Sequence, residues 1–207
     1  MKVDKLFYGS WYANCYVVTE EGEDGKLCAA VIDPAYPAED LKSHVDGLGA
    51  TLQAIILTHG HFDHICFTDE LRRLTGAPVY VHRDDAEMLT DGKKNAYSLF
   101  FGGDMNMGQA DALLSGGDSV PLGNNRLKVI HTPGHSRGSV CLLSEGFMIT
   151  GDTLFSGGYG RYDLYGGDPV ALSRSLAAPH DYDPHLIIYP GHGQSSTLGD
   201  ALDSIYF

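Results

Sequence analysis

The chain has 207 residues, of which 43% are hydrophobic and 20% charged, proportions that are typical of a folded domain and argue against a disordered or membrane-spanning protein. Its net charge of −13 argues against nucleic acid and anionic membranes as partners. The N-terminus does not resemble a secretory signal, and none of the four cysteines forms a Cys-x-x-Cys pair, so we expect a cytoplasmic protein with buried, unpaired thiols. We predict one domain over residues 1–207, as a monomer or homodimer.

The first fifty-odd residues predict strands followed by a helix. Residues 15–19 and 28–32 are apolar and β-branched, and the polar, glycine-containing segment between them predicts a hairpin. A helix is expected from Pro37 to about Val45, where Gly47 and Gly49 follow. The apolar run 54–57 then predicts a buried strand.

That strand leads directly into a segment rich in metal ligands. His59, His61, Asp63 and His64 fall within six positions, and imidazole and carboxylate are the groups that divalent transition metals bind. A strand end is stiff, and a metal site needs ligands that are held in place. The segment therefore predicts a metal site.

The middle of the chain predicts a helix over residues 63–74, a strand over 79–82 and a short helix over 84–89. Residues 91–118 contain six glycines and are expected to be irregular. The aromatic side chains within that segment, Phe100 among them, are expected to pack into the core; the alternative is a flap that gates a substrate pocket.

The second half repeats this order of strands and helices, so we predict a weak internal duplication with halves of about 1–110 and 111–207. Strands are expected over residues 127–130, 139–143, 147–150 and 186–189, and a helix over 168–177. Three of these strands are followed by a candidate ligand: His135, Asp152 and His192.

Four strand ends therefore carry candidate ligands, and this repetition is more informative than any one of them. A closed structural zinc site usually has four ligands, often with cysteine. Seven candidates without a cysteine favour an open, catalytic site over a metal-stabilised binding module, which is the non-enzymatic alternative.

The segments also resemble a known family. Thr-His-Gly-His-Phe-Asp-His (58–64) matches the His-x-His-x-Asp-His signature of the metallo-β-lactamase superfamily, and three later segments resemble its other ligand motifs in the same order. These segments are Thr132–Ser139, Gly151–Thr153 and Pro190–Gly193. Within the superfamily the chain is most similar to the glyoxalase II-like hydrolases, including short forms without a C-terminal helical domain.

This resemblance implies an α/β fold, a four-layer αββα sandwich with a dinuclear metal site at the edge between its two sheets. It implies that His59, His61 and His135 bind one metal, that Asp63, His64 and His192 bind the other, and that Asp152 bridges both. Zinc is the expected metal in both positions, with iron or manganese as alternatives.

The same resemblance implies a hydrolase that cleaves a thioester, ester or similar acyl bond of a small molecule. Two metals about 3.5–4 Å apart can share a water and lower its pKa towards about 7, which supplies hydroxide at neutral pH. Asp63 is the candidate for orienting that hydroxide or passing a proton to the leaving group.

Further residues are candidates for supporting roles. Asp33, at the end of an early strand, is the candidate partner that orients a ligand imidazole. Arg161 and Tyr162, in a segment that resembles the family's Gly-Arg-x-Asp motif, are candidates for binding substrate together with Phe100. Arg161 and Asp163 are also expected to pair with each other.

One enzymatic alternative remains open. Persulfide dioxygenases resemble this chain in length and motifs, and in them a single iron would be held by residues that match His59, His135 and Asp152. Such a centre activates oxygen and not water.

Overall fold

The structure is a computed structural model that describes the backbone of residues 1–205 and their side chains, apart from that of His180. Two six-stranded sheets pack face to face and helices cover their outer faces, which confirms the predicted αββα sandwich. No helix among the described residues is both long enough and apolar enough to cross a membrane.

The first sheet contains the first six strands in sequence order. Neighbouring strands from β1 to β3 are antiparallel, and those from β3 to β6 are parallel. The strands are β1 (Lys2–Leu6), β2 (Cys15–Glu21), β3 (Leu27–Ile32), β4 (Ala50–Ile56), β5 (Val79–His82) and β6 (Ala112–Leu114).

The second sheet has the order β12-β11-β10-β9-β8-β7, and only the β10–β11 pair is parallel. Its strands are β7 (Ser119–Leu122), β8 (Asn125–His131), β9 (Val140–Ser144), β10 (Phe147–Gly151), β11 (Ile187–Pro190) and β12 (Ser196–Thr197). Each sheet is thus built from one half of the described chain, with the boundary between Leu114 and Ser119. The internal duplication itself stays a prediction.

The apolar runs of the sequence form strands that are buried on both faces. Along β4, Ala54 and Ile56 face the second sheet, whereas Ile55 and the following Leu57 face the outer helices. The same alternation holds in β3 and β2. Burial on both faces explains why these strands are continuously apolar.

Six α-helices are assigned among the described residues: α1 (Ala38–Gly47), α2 (Phe62–Ile65), α3 (Thr68–Thr75), α4 (Tyr97–Phe101), α5 (Pro169–Ala177) and α6 (Leu198–Asp203). Helices α1 and α3 cover the first sheet, and α5 and α6 cover the second. The predicted helix over 168–177 is confirmed as α5, which begins after Asp168, whose carboxylate accepts hydrogen bonds from two backbone N–H groups of the first turn.

The predicted helix over residues 63–74 is wrong as a single element. It is divided into α2 and α3 because the backbone N–H of Phe67 donates to the carbonyl of Pro34 and not to the preceding turn. The predicted helix over 84–89 is a 3-10 helix, Arg83–Thr90.

The segment 91–118 is more ordered than we predicted. It contains α4, which follows a left-handed residue at Ala96, and β6, which extends the first sheet in parallel with β5. The expectation that its aromatic residues enter the core is also wrong, because Phe100 and Phe101 are exposed. The buried apolar residues of this segment are Ala96, Met107 and Leu114.

Gly134 links the second sheet to α5 by a close backbone approach. Its φ is +137°, and a Cβ at this position would overlap the backbone of Leu172 in α5. The carbonyl of Gly134 also accepts a hydrogen bond from the backbone of Asp168.

We therefore expect Gly134→Ala to reduce the free energy of unfolding by about 2–4 kcal/mol, through steric overlap and left-handed strain, in denaturant titrations. Gly47→Ala is the matched control, because Gly47 ends α1 at a position where an added Cβ meets no atom within 4 Å. Equal stability of the two variants would contradict this account of Gly134.

Candidate metal centre

Seven candidate ligands converge at one edge of the sandwich, although they come from four separate segments. The segment after β4 contributes four of them, and those after β8, β10 and β11 contribute one each. The seven residues are His59, His61, Asp63, His64, His135, Asp152 and His192.

A first group consists of three buried imidazoles, His59, His61 and His135. The Nε2 atom of His135 lies 2.8 Å from Nδ1 of His61 and 3.1 Å from Nε2 of His59. Nitrogen atoms this close together, with no carboxylate between them, have the arrangement of ligands that surround one cation.

A second group consists of Asp63, His64 and His192. Oδ2 of Asp63 lies 3.2 Å from Nε2 of His192 and 3.8 Å from Nε2 of His64. The side chain of His64 is fully buried, whereas that of His192 is 38% exposed, so this group borders solvent.

Asp152 contacts both groups. Its Oδ1 lies 3.3 Å from His64, and its Oδ2 lies 3.6 Å from both His135 and His192. The structure thus brings the carboxylate to the position that the predicted bridging role requires.

The donor atoms fit a pair of metal ions. Nε2 of His61 is buried and makes no hydrogen bond with the described residues, which is costly unless another group satisfies it; Nε2 of His64 and Oδ1 of Asp152 are also buried and face each other at 3.3 Å. A mixed set of imidazole nitrogens and carboxylate oxygens suits zinc, iron or manganese. We conclude that the residues present can hold two divalent cations.

A further histidine pair does not have this geometry. The rings of His82 and His131 are stacked, with centroids 4.1 Å apart and an angle of 13° between their planes. An imidazole binds a metal through a lone pair in the plane of its ring, so two stacked rings cannot both direct lone pairs at one ion.

Hydrogen bonds orient three of the ligand imidazoles. Nδ1 of His64 bonds to Asp33 at 2.8 Å, Nδ1 of His59 to the Thr58 hydroxyl at 3.1 Å, and Nδ1 of His135 to the carbonyl of Arg161 at 2.6 Å. In each neutral ring, Nδ1 as the donor to this partner leaves the lone pair on Nε2, which faces the cluster.

The candidate Asp33 lies where the sequence predicted a supporting carboxylate. It has a φ of +50°, an unusual conformation for a residue other than glycine, and its oxygens also accept hydrogen bonds from the backbone and hydroxyl of Thr58. These bonds hold the strained backbone in place.

Asp85 is a supporting residue that sequence reasoning missed. Its buried carboxylate accepts hydrogen bonds from the Gly60 backbone, between His59 and His61, and from the Ser136 hydroxyl and the Gly138 backbone, beyond His135. It therefore joins the two loops of the first group. Asp85 lies in a helical segment far from any ligand motif, so only the folded chain reveals this role.

The two groups differ in their electrostatics. Burial and the neighbouring imidazoles lower the pKa of His59 well below its ordinary value and the pKa of His61 to about 3. Burial also lowers the pKa of His64, but the carboxylates of Asp152, Asp63 and Asp33 outweigh this and raise its pKa well above its ordinary value.

The carboxylates respond in the opposite direction. Burial raises the pKa of Asp152 and Asp63, but His64 and the other imidazoles outweigh burial and hold both pKa values below the ordinary range. Both residues are therefore ionised at neutral pH, when a metal would bind them.

A cleft of about 320 Å³ opens over the centre. Phe100 and Arg161 line it, as predicted for substrate-binding residues, and Trp11 and Phe155 line it as well. Tyr162 does not line this cleft, because its side chain packs in a separate hollow beside Leu172 and Leu176 of α5. Arg161 and Asp163 form the expected pair, with two hydrogen bonds of 2.7 and 2.8 Å.

With this geometry established, comparison with known proteins identifies relatives. The family model described as the metallo-beta-lactamase superfamily matches residues 8–192. The chain is 33% identical to the probable metallo-hydrolase YqgX of Bacillus subtilis, over 96% of this chain and 93% of that protein.

Two solved structures are similar to the whole chain. The B3 metallo-beta-lactamase BLEG-1 is 34% identical with a TM-score of 0.86, over 98% of this chain and 97% of its own. The di-iron-bound form of TTHA1623 is 33% identical with a TM-score of 0.81, over 95% and 96%.

The Asp85 network makes a prediction about metal affinity. Asp85→Asn should weaken binding of one metal by about 10- to 100-fold, because the first group loses the bonds between its loops, and should leave the other within a few-fold. Competitive titration against a chromophoric chelator measures both affinities.

Asp33→Asn is the matched variant, because Asp33 bonds to His64 of the second group. Asp33 reaches His59 of the first group only through Thr58, so Asp33→Asn should weaken the second metal more than the first, and Asp85→Asn should do the reverse. If both variants weaken the same metal most, the assignment of Asp85 to the first group is wrong.

The pKa directions predict unequal proton release when metal is added to the metal-free protein. At pH 7, His59 and His61 are already neutral, but His64 holds a proton that must leave before it binds metal. Filling the second group should release about one proton more than filling the first, and its affinity should fall more steeply as the pH is lowered. Titration in weakly buffered indicator solution measures this, and equal release from both groups would contradict the prediction.

Proposed function

The chain belongs to the metallo-beta-lactamase superfamily, and on this basis we propose that it is a metal-dependent hydrolase that cleaves a thioester, ester or similar acyl bond of a small molecule. Similarity to the probable metallo-hydrolase YqgX over nearly the whole of both chains supports the hydrolase assignment. The sequence resemblance to glyoxalase II-like hydrolases favours a thioester among these bonds.

The observation that carries the proposal is the position of Asp152 between two complete ligand groups. Two divalent cations held there would polarise the scissile carbonyl and lower the pKa of a shared water towards about 7. Zinc is the metal we propose, with iron as an alternative because TTHA1623 has a di-iron-bound form.

The chain's own residues supply orientation and proton transfer. The hydrogen bonds from His59, His64 and His135 to their partners keep the ligand nitrogens aimed at the centre before substrate arrives. Asp63 borders the cleft and uses Oδ2 towards His64 and His192, so we assign its other oxygen to hold the transferred proton.

The overall reaction consumes one water. Its oxygen forms a bond to the acyl carbon, the bond from that carbon to sulfur or oxygen breaks, one of its protons passes through Asp63 to the leaving group, and the other is released to solvent. The products are a carboxylate and a thiol or alcohol, without any oxidation or reduction.

The proposal is tested with chelator-treated protein that is reloaded with zinc. We expect activity on a panel of thioesters, esters and lactones to return as the second equivalent of zinc is added. A β-lactam belongs in the panel because BLEG-1 is a B3 metallo-beta-lactamase. Maximal activity with one bound iron, and oxygen uptake with a persulfide, would instead establish the dioxygenase alternative.

A pair of histidine variants sharpens this test. His192→Ala should reduce hydrolysis by about 100-fold or more, because it removes a ligand of the second group. His185→Ala is the control, since His185 is exposed and lies outside the centre. A dioxygenase with one iron on His59, His135 and Asp152 would lose much less activity in His192→Ala.

A further inference from the structure

The walls of the cleft above the metal centre are largely apolar. Apart from the ligands, its side chains are mostly aromatic or aliphatic: Trp11, Phe62, Ala96, Phe100, Phe155 and Leu164. They come from five separate parts of the chain. Apolar walls with a few convergent polar groups are typical of small-molecule sites.

The apolar wall begins within the metal-binding motif itself. Phe62, between His61 and Asp63, packs against Phe100 of α4 with ring centroids 5.7 Å apart. Phe155 also lines the cleft, and its ring stands edge-on to that of His192 with centroids 6.1 Å apart. A group bound in the cleft therefore lies beside these aromatic rings and the candidate ligands, which line the same space.

Trp11 extends this wall to the mouth of the cleft. Its side chain is 62% exposed, and it contacts Phe101 of α4 with ring centroids 5.6 Å apart. Exposed aromatic side chains that adjoin a pocket commonly mark a binding surface.

The charges of the cleft disfavour an anionic substrate group. Arg161 is the sole lysine or arginine among the described residues that line it, and Asp163 holds its guanidinium with two hydrogen bonds. The chain as a whole carries a net charge of −13. A substituent with free carboxylates that lies away from the metal ligands would find no unpaired lysine or arginine on the described walls.

We propose that the cleft binds an uncharged aromatic or aliphatic substituent adjoining the scissile acyl bond, and that it discriminates against charged conjugates such as glutathione thioesters. This inference rests on the proposed hydrolase function. The cleft volume of about 320 Å³ agrees with it, because an apolar cavity of about 150 Å³ binds benzene. There is room for one ring and the acyl group that joins it to the metal centre.

The test compares substrates of matched chemical reactivity in the zinc-loaded wild-type protein. Acetyl, hexanoyl and phenylacetyl thioesters of N-acetylcysteamine vary the acyl side, and acetyl thioesters of N-acetylcysteamine, benzyl mercaptan and glutathione vary the thiol side. For either the acyl side or the thiol side, we expect kcat/KM of the substrate with the larger apolar group to exceed that of the acetyl thioester of N-acetylcysteamine by about tenfold or more. The glutathione thioester should have the lowest kcat/KM.

Two variants in α4 test whether Phe100 causes this substrate preference. Phe100→Ala should remove about tenfold of kcat/KM for the apolar substrate and little for the acetyl thioester of N-acetylcysteamine. Leu99→Ala is the matched control, because Leu99 is 68% exposed on the same helix and does not line the cleft. Equal losses in the two variants, or preference for glutathione, would overturn the inference.

A binding measurement separates this inference from the proposed function. Trp11 is the only tryptophan of the chain, so its fluorescence reports on the mouth of the cleft. Phenylacetamide should change the emission saturably in the zinc-loaded protein, and S-methylglutathione at the same concentrations should not.

If the panel is not hydrolysed but phenylacetamide binds, the proposed function fails and the apolar site stands. If thioesters are hydrolysed without preference for apolar groups and S-methylglutathione binds as well as phenylacetamide, the inference fails and the hydrolase stands.

Discussion

The carboxylate of Asp33 is the contact on which the metal centre most depends. Asp33 follows β3 and has a left-handed backbone conformation. Its carboxylate accepts hydrogen bonds from Thr58, which follows the neighbouring strand β4, and it also bonds to His64. A conformation of this kind costs about 1–3 kcal/mol and persists only where surrounding contacts enforce it. Through Thr58, the same network reaches His59, so one residue orients a ligand of each group.

The two ligand groups have different surroundings, because the first is enclosed by protein and the second borders solvent. His59, His61 and His135 are buried, burial and neighbouring imidazoles lower the pKa of His59 and of His61, and the loops that carry the three residues are joined by Asp85. The second group contains carboxylates and ends in the partly exposed His192. The cleft is lined by ligands of both groups, His61 and His135 as well as Asp63 and His192. The aromatic wall begins at the same place, because Phe62 is part of the metal-binding segment.

Predictions from the sequence were correct where the local residue pattern favours the same structure that tertiary packing requires. Apolar runs became strands buried on both faces, and ligands appeared at the ends of β4, β8, β10 and β11 because strand ends at one edge are brought together. They failed where a single distant contact decides the outcome. The N–H of Phe67 binds Pro34 and interrupts a segment with helical periodicity, and pairing with β5 orders β6 within a glycine-rich segment.

The sequence by itself determined the fold class, through motifs that resemble those of a known family, and the strands that are followed by candidate ligands, because periodicity and ligand type are properties of consecutive residues. Only the tertiary structure decided that Asp85 joins the loops of the first group and that Trp11 and Phe155 line the cleft. Those properties depend on distances between segments that lie far apart in the chain, such as Asp85 and Gly138 or Trp11 and Phe101. No local pattern encodes these distances, since they arise only when the two sheets pack.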